Sequence, residues 1–136
     1  MPGFTPDAEK AILLDYLTGR AVAYTAARNS YLGLAVAVPD EPITLALLAE
    51  VTTAGYARVQ TTWSTPAGSP VAIPNSASVQ FGPVTADMDT AAIYAFLTEA
   101  SSGTTGTVLY VWSLLEPVQA KMNKPIFVAA GALTIQ

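Results

Sequence analysis

The chain has 136 residues, 51% of them hydrophobic and only 12% charged, with six basic and ten acidic side chains and a net charge of −4. That is one domain of common size with ample apolar surface to offset the entropy of ordering, which excludes a disordered chain. The charged fraction is about half the usual ~25%, so Ala, Thr and Ser must form much of the exterior, which suits a surface that lies against neighbours.

Further classes fall away on composition. No Lys/Arg cluster is present to displace counterions from a phosphate backbone, so nucleic acid is not an expected partner. There is no His and no Cys, which removes disulfides, thiolate chemistry, imidazole bases and nearly every zinc or haem site. No apolar run approaches the ~20 residues of a membrane span, and MPGFTPDAEK lacks the basic start and apolar core of a signal peptide. The expectation is a soluble protein, made without a classical export signal and not bound to a membrane.

In chain order, residues 1–20 read as a helix. Thr5 is a suitable N-cap, Pro6 fits the first helical position, and Asp7 and Glu9 favour the positive end of the dipole. Ala8, Ile12, Leu13, Tyr16 and Leu17 share a face, and Gly19 with Arg20 supplies the C-terminal signal. That apolar face must dock, either on the chain's own sheets or on a partner. Tyr31–Val38 reads as a compact strand, and Ile43–Val51 as a helical turn or a loop. Tyr56–Ser64 alternates, with Tyr56, Arg58, Gln60 and Thr62 on one face and Ala57, Val59, Thr61 and Trp63 on the other. Thr65–Asn75 is a proline-stiffened exposed loop, and Ser76–Pro83 a strand turning Ala77, Val79 and Phe81 one way. Ala91–Thr98 and Thr107–Leu115 are strands joined by the flexible connection Ala100–Gly106, and Pro125–Ala130 and Ala132–Ile135 close the chain. Short strands after one leading helix, with no βαβ rhythm, predict a mainly β fold. The expected form is an antiparallel, jelly-roll-like β-sandwich over 31–136 behind the 1–20 helix, in a single domain of residues 1–136.

Few constellations suggest chemistry. Asp87 and Asp89 offer hard oxygen ligands to a cation such as calcium, as do Asp40 and Glu41, but no glycine-punctuated ligand series follows, and Asp in such places more often caps backbone N–H groups. Glu50, Glu99 and Glu116 show no spacing that converges two carboxylates on a cleft. Without His, only Lys10, Lys121 or Lys124 could activate a serine nucleophile, and no serine lies in a nucleophile elbow. Gly103-Thr-Thr-Gly106 lacks the Lys and the strand–helix setting of a phosphate loop. Tyr110 and Trp112 on one strand, with Tyr94 and Phe96 on the preceding one, form either an aromatic core or a ladder that stacks sugars or bases. No catalytic residue, no metal ligand and no cofactor is assigned, and the protein is not expected to be an enzyme.

Five ordered pieces carry a resemblance: Glu50–Trp63 (EVTTAGYARVQTTW), Asn75–Asp87 (NSASVQFGPVTAD), Ala95–Gly103 (AFLTEASSG), Val108–Trp112 (VLYVW) and Phe127–Ile135 (FVAAGALTI). With the leading helix and Tyr31–Leu34, they make the chain resemble small virion structural proteins of tailed bacteriophages, especially those of actinobacteria, whose members are labelled head decoration, minor capsid or tail-fibre-like. The departures are Ala120–Lys124, where relatives carry a Gly/Asp turn, and a leucine-rich Ile43–Leu48. The resemblance implies a capsid decoration or cement protein on the virion surface, made in the host cytoplasm. It would bind the major capsid protein and copies of itself, as a trimer or another homo-oligomer, through the helix and the 65–75 loop. The alternative it implies is a minor tail or fibre-base protein that helps adsorb to the host, with tail proteins or cell-wall glycan as partners. Neither role brings catalytic residues.

Overall fold

A computed structural model describes residues 3–4, 29–64 and 72–135. It is mainly β, antiparallel in every pairing, with no helix among the described residues. The strands are β1 (Gly3–Phe4), β2 (Ser30–Ala37), β3 (Ala49–Glu50), β4 (Val59–Thr61), β5 (Ile73–Pro74), β6 (Val79–Phe81), β7 (Ala92–Thr98), β8 (Val108–Val118), β9 (Ile126–Val128) and β10 (Thr134–Ile135). The main sheet has the order β1-β8-β7-β2, and the far edge of β2 is shared between β3 and β4. Two further ladders pair β5 with β10 and β6 with β9.

The expected helix lies outside the described residues except at its start, where Gly3–Phe4 pairs with Val111 and Tyr110 of β8 and is strand, not helix. The proposed contact loop 65–75 lies largely outside them too. Its described end departs from an exposed loop: Ile73–Pro74 is strand, and Asn75 is buried at 2% exposure.

Period-two alternation gives the main sheet two apolar faces. Leu32, Leu34, Ala95, Leu97, Tyr110 and Trp112 point to one of them and pack with Val79, Phe81, Val84, Ile126 and Leu133. Phe96, Ala35, Val108 and Val111 point to the other, under Ile43, Leu45 and Leu48. The ambiguous 43–51 segment thus resolves into a single helical turn, with the Thr44 carbonyl accepting from the N–H groups of Leu47 (3.2 Å) and Leu48 (2.9 Å), followed by β3. Ile43, Leu45 and Leu48 are a lid for the second face, while Leu47 is exposed.

Two register breaks shape β8. Leu97 pairs with Tyr110 but Thr98 with Val108, so Leu109 is an extra residue that turns Val108 to the Phe96 side. Further on, Tyr94 pairs with Ser113 and Ala92 with Val118, which leaves residues 114–117 opposite Ile93 alone. Leu115 projects there fully exposed, and Pro117 sits where no ladder N–H is required.

Two close-packed points pin the strands in place. Gly33 lies opposite Phe96 in the register, and a Cβ on Gly33 would come within 2.6 Å of Phe96 Cε1. Asn75 joins the two chains at one end of the β5–β10 ladder, beside the Pro74–Thr134 pair. Its Nδ2 donates to the carbonyls of Ala77 and Ala129, both at 3.0 Å, and its Oδ1 accepts from the Leu133 N–H at 3.0 Å. Its backbone N–H donates to the Leu133 carbonyl, and its own carbonyl accepts from Gly131. Ala77, expected to face inward with Val79 and Phe81, is exposed because the chain is still in this turn and not yet strand.

Gly33→Ala is therefore expected to destabilise the fold by about 1–3 kcal/mol through overpacking against Phe96. Asn75→Ala, which leaves two carbonyls and one N–H without their partner, is expected to cost about 2–4 kcal/mol. Urea unfolding monitored by tryptophan fluorescence reads both.

Candidate functional site

The edge of β2 changes partner in mid-strand. Ser30–Leu32 pairs with β4, while Ala35 and Ala37 pair with β3. At the junction, the Leu34 N–H has no ladder carbonyl and donates to the Tyr56 hydroxyl at 2.8 Å, while the Leu34 carbonyl accepts from the Val51 N–H at 3.0 Å. Tyr56 in turn donates to Glu50 Oε1 at 2.9 Å, and its ring stacks on Phe81 with centroids 5.8 Å apart. Burial and the adjacent Glu50 carboxylate push the Tyr56 phenol well above its ordinary range.

Arg58 completes the group. Its guanidinium grips Glu50 with two bonds, Nε to Oε1 at 2.9 Å and Nη2 to Oε2 at 2.6 Å. The remaining donors reach the β7–β8 connection: Nη1 to the Ala100 carbonyl at 3.0 Å and Nη2 to the Gly103 carbonyl at 2.7 Å. The guanidinium also lies 5.5 Å from the centre of the Phe96 ring, and the Arg58 side chain is only 3% exposed. A charge so deeply placed is tolerated only because Glu50 neutralises it and nearly every donor is used. The same connection is tied at its base, where Thr98 Oγ1 donates to the Thr107 carbonyl at 2.9 Å and accepts from the Ala100 N–H at 3.2 Å. A cleft of about 250 Å³ runs between Tyr56–Arg58 and Ser101–Gly103. The stretch expected to be a flexible connection is thus anchored at both ends and near its middle.

Neither Glu50 nor Arg58 was visible in this role from sequence. Glu50 reads as an ordinary solvated carboxylate and Arg58 as the outward face of an alternating strand. That alternation is real only from Val59 onward, because residues 56–58 are irregular and carry the Arg58 side chain under the loop, where it meets Glu50 from β3.

The other candidates resolve into structural roles. Asp87 Oδ1 accepts from the Met122 N–H at 2.7 Å, and its Oδ2 lies 3.8 Å from Lys121 Nζ, so it holds the 120–124 turn. Asp89 lines with it an open cleft of about 410 Å³ that also touches Glu50, Thr52 and Thr53. Asp40 and Glu41 border a separate cleft of about 400 Å³ with Tyr94. No three potential metal ligands converge among the described residues. Glu99, Glu116, Lys121 and Lys124 are exposed, and Lys10 lies outside the described residues.

The aromatic ladder divides between the two faces of the sheet. Tyr110 and Trp112 pack in one core, their rings 4.7 Å apart, with Trp112 stacked on Trp63 at 6.0 Å and donating to the Thr134 carbonyl. Phe96 is fully buried in the other. These three rings are core, while Tyr94, on the Phe96 side, is half-buried at the cleft beside Asp40 and Glu41.

The comparison with known proteins adds what this geometry does not carry. Residues 5–136 match a protein-family model described as Podophage GP4 fiber I protein gp80. The chain belongs to this family. No curated protein matches it. The gp80 family is one of phage fibre proteins, so the chain is a virion structural component, the class implied by its ordered sequence pieces. Of the two roles that resemblance implied, the family description carries the fibre role; head decoration and an actinobacterial host range lie beyond it.

Two outcomes test the cluster in this gp80-family chain. Glu50→Gln, which leaves the Arg58 charge buried without its counter-ion, is expected to destabilise the fold by about 3–5 kcal/mol in urea titrations. For Tyr56 the folded pKa lies above the unfolded value of ~10, so its contribution is fully present at neutral pH and is lost only as pH rises past ~10. The difference in phenolate absorbance between wild type and Tyr56→Phe is expected to show no ionisation of Tyr56 at pH 10.5 in the folded protein, and ionisation once urea unfolds it.

Proposed function

We propose that this protein is a component of a phage tail fibre or its base, acts as a homo-oligomer, and takes part in attachment of the virion to its host. The observation that carries the reading is the family match over residues 5–136. The composition supports it, since a fibre subunit requires no nucleophile, cofactor or metal and gains from a low-charge surface that packs against neighbouring subunits. The buried polar groups support it too. Arg58, Tyr56 and Asn75 spend hydrogen bonds on holding backbone in place, and Glu50 spends its own on holding Arg58 and Tyr56, which is the chemistry of a scaffold and not of an enzyme. On this reading the ladders β5–β10 and β6–β9 form the second layer of a β-sandwich, with the larger core cluster between the layers. Partners would be tail proteins, further copies of the chain, and a polymer of the host envelope.

Immunogold labelling of intact virions, with an antibody raised against the purified chain, tests the location. Label confined to the tail is the expected result. Label spread evenly over the head would replace the fibre role with capsid decoration, and virions without label would overturn both.

A further inference from the structure

We infer that the β7–β8 connection, residues 100–106, is the host-contact surface of this protein, that it takes a neutral saccharide, and that Arg58 is the residue that holds it in the binding conformation; this rests on the adsorption role proposed above. The starting observation is an imbalance. A buried ion pair is costly to desolvate, yet half of what Arg58 bonds to is the backbone of a connection that touches the second core only at its ends, through Ala100 and Gly106, while Ser101 to Thr105 are all exposed. A connection needed only to join two strands would require two residues and a turn. This one is longer, carries left-handed glycines at 103 and 106, and is clamped through the carbonyls of Ala100 and Gly103 and by Thr98 at its base. Clamping removes in advance the ordering entropy that a free loop would lose on binding.

Its chemistry selects the partner. Residues 100–106 read Ala-Ser-Ser-Gly-Thr-Thr-Gly and carry no charge and no large apolar side chain. Protein-binding surfaces draw their affinity from buried aromatic or Arg anchors, and this surface offers none. It offers the hydroxyls of Ser101, Ser102, Thr104 and Thr105, none bonded to another described residue. Each hydroxyl donates one bond and accepts up to two, which matches the mixed donor and acceptor edge of a sugar ring. The adjoining cleft of about 250 Å³, lined by Tyr56, Ala57 and Ser101–Gly103, gives that edge a recess to enter. Glu50 and Arg58 also border it, but their charges are spent on each other, so the recess is close to neutral.

The test uses the full chain, biotinylated and displayed on streptavidin, binding to isolated envelopes of the host bacterium. The envelopes are untreated, protease-treated, or oxidised with periodate, which cleaves vicinal diols. Binding by the wild type that survives protease and is lost after periodate is the expected pattern. Loss on protease would overturn the saccharide assignment in favour of a protein receptor. A variant with Ser101, Ser102, Thr104 and Thr105 all changed to Ala is expected to bind at least ~10-fold more weakly with unchanged thermal stability; wild-type binding by it overturns the contact surface while leaving the adsorption role in place. No wild-type binding to untreated envelopes overturns the adsorption role itself. Arg58→Lys keeps the charge beside Glu50 but cannot span both carbonyls. It is expected to weaken binding ~10-fold and to speed amide exchange at 100–106, whereas Asn75→Ala, destabilised elsewhere, retains binding below its melting temperature. Equal losses in Arg58→Lys and Asn75→Ala would reduce Arg58 to a merely structural residue.

Discussion

An interior strand must find hydrogen-bond partners along both edges, and β2 finds them on its outer edge from two strands that do not meet. β4 serves its first half and β3 its second. The Leu34 N–H between them would be orphaned next to the core, at a cost of about 1–3 kcal/mol for a buried donor. The Tyr56 hydroxyl occupies that gap, and because a hydroxyl both accepts and donates, it hands the requirement on to Glu50 and from there to Arg58. The edge of the sheet, the buried ion pair and the hairpin connection are therefore one linked device. Without the hydroxyl, the strand exchange has no chemical closure. Without Glu50, the Arg58 charge has no reason to be inside.

The two-faced sheet makes that device rigid. Phe96 packs on Gly33 and lies beside the Arg58 guanidinium on one side of the sheet, while Tyr56 stacks on Phe81 within the opposite core. The cluster thus touches both apolar layers at the same edge. An elongated assembly that transmits load benefits from such coupling, since displacement of the loop would have to be matched by displacement of packed aromatic rings, and cores do not deform continuously. The Leu109 bulge contributes by sending Val108 to the Phe96 side, which closes the second core directly beneath the connection.

Much of the β framework was legible in the residues. The strands around Leu32, Phe81, Ala95 and Trp112 follow from alternation and β-forming side chains, and the buried members are the ones that pattern selects. What failed did so for local reasons. Tyr56 and Arg58 fit a period of two by coincidence, because an irregular stretch can place polar residues two apart without being a strand. Ala77 fits one for the same reason. Asn75 reads as loop because Asn usually is, and nothing in a one-dimensional pattern reveals that its amide is met by residues 129 and 133. The aromatic ladder was misleading in one respect only: Phe96 aligns with Val111 and not with Tyr110, so the rings fall on opposite faces. The broad class of phage virion structural protein was legible from ordered pieces spread along the chain, whereas the gp80 family itself was not, since fibre and decoration proteins share the same demands on composition.

Asn75 also bears on the order in which the molecule is put together. Its amide joins positions separated by 54 and 58 residues, so the bonds that complete it must wait until residues 129–133 have been synthesised. The β7–β8 hairpin can pair early, because it closes a short loop, but the β5–β10 ladder, like the pairing of β2 with β7, must overcome a long closure before any contact rewards it. Until then, Ile73, Pro74 and Asn75 present an open strand edge to other nascent chains. That interval is when a stray partner strand competes with residues 129–135, and the four hydrogen bonds that Asn75 makes with Ala129, Gly131 and Leu133 are what let the native pairing win.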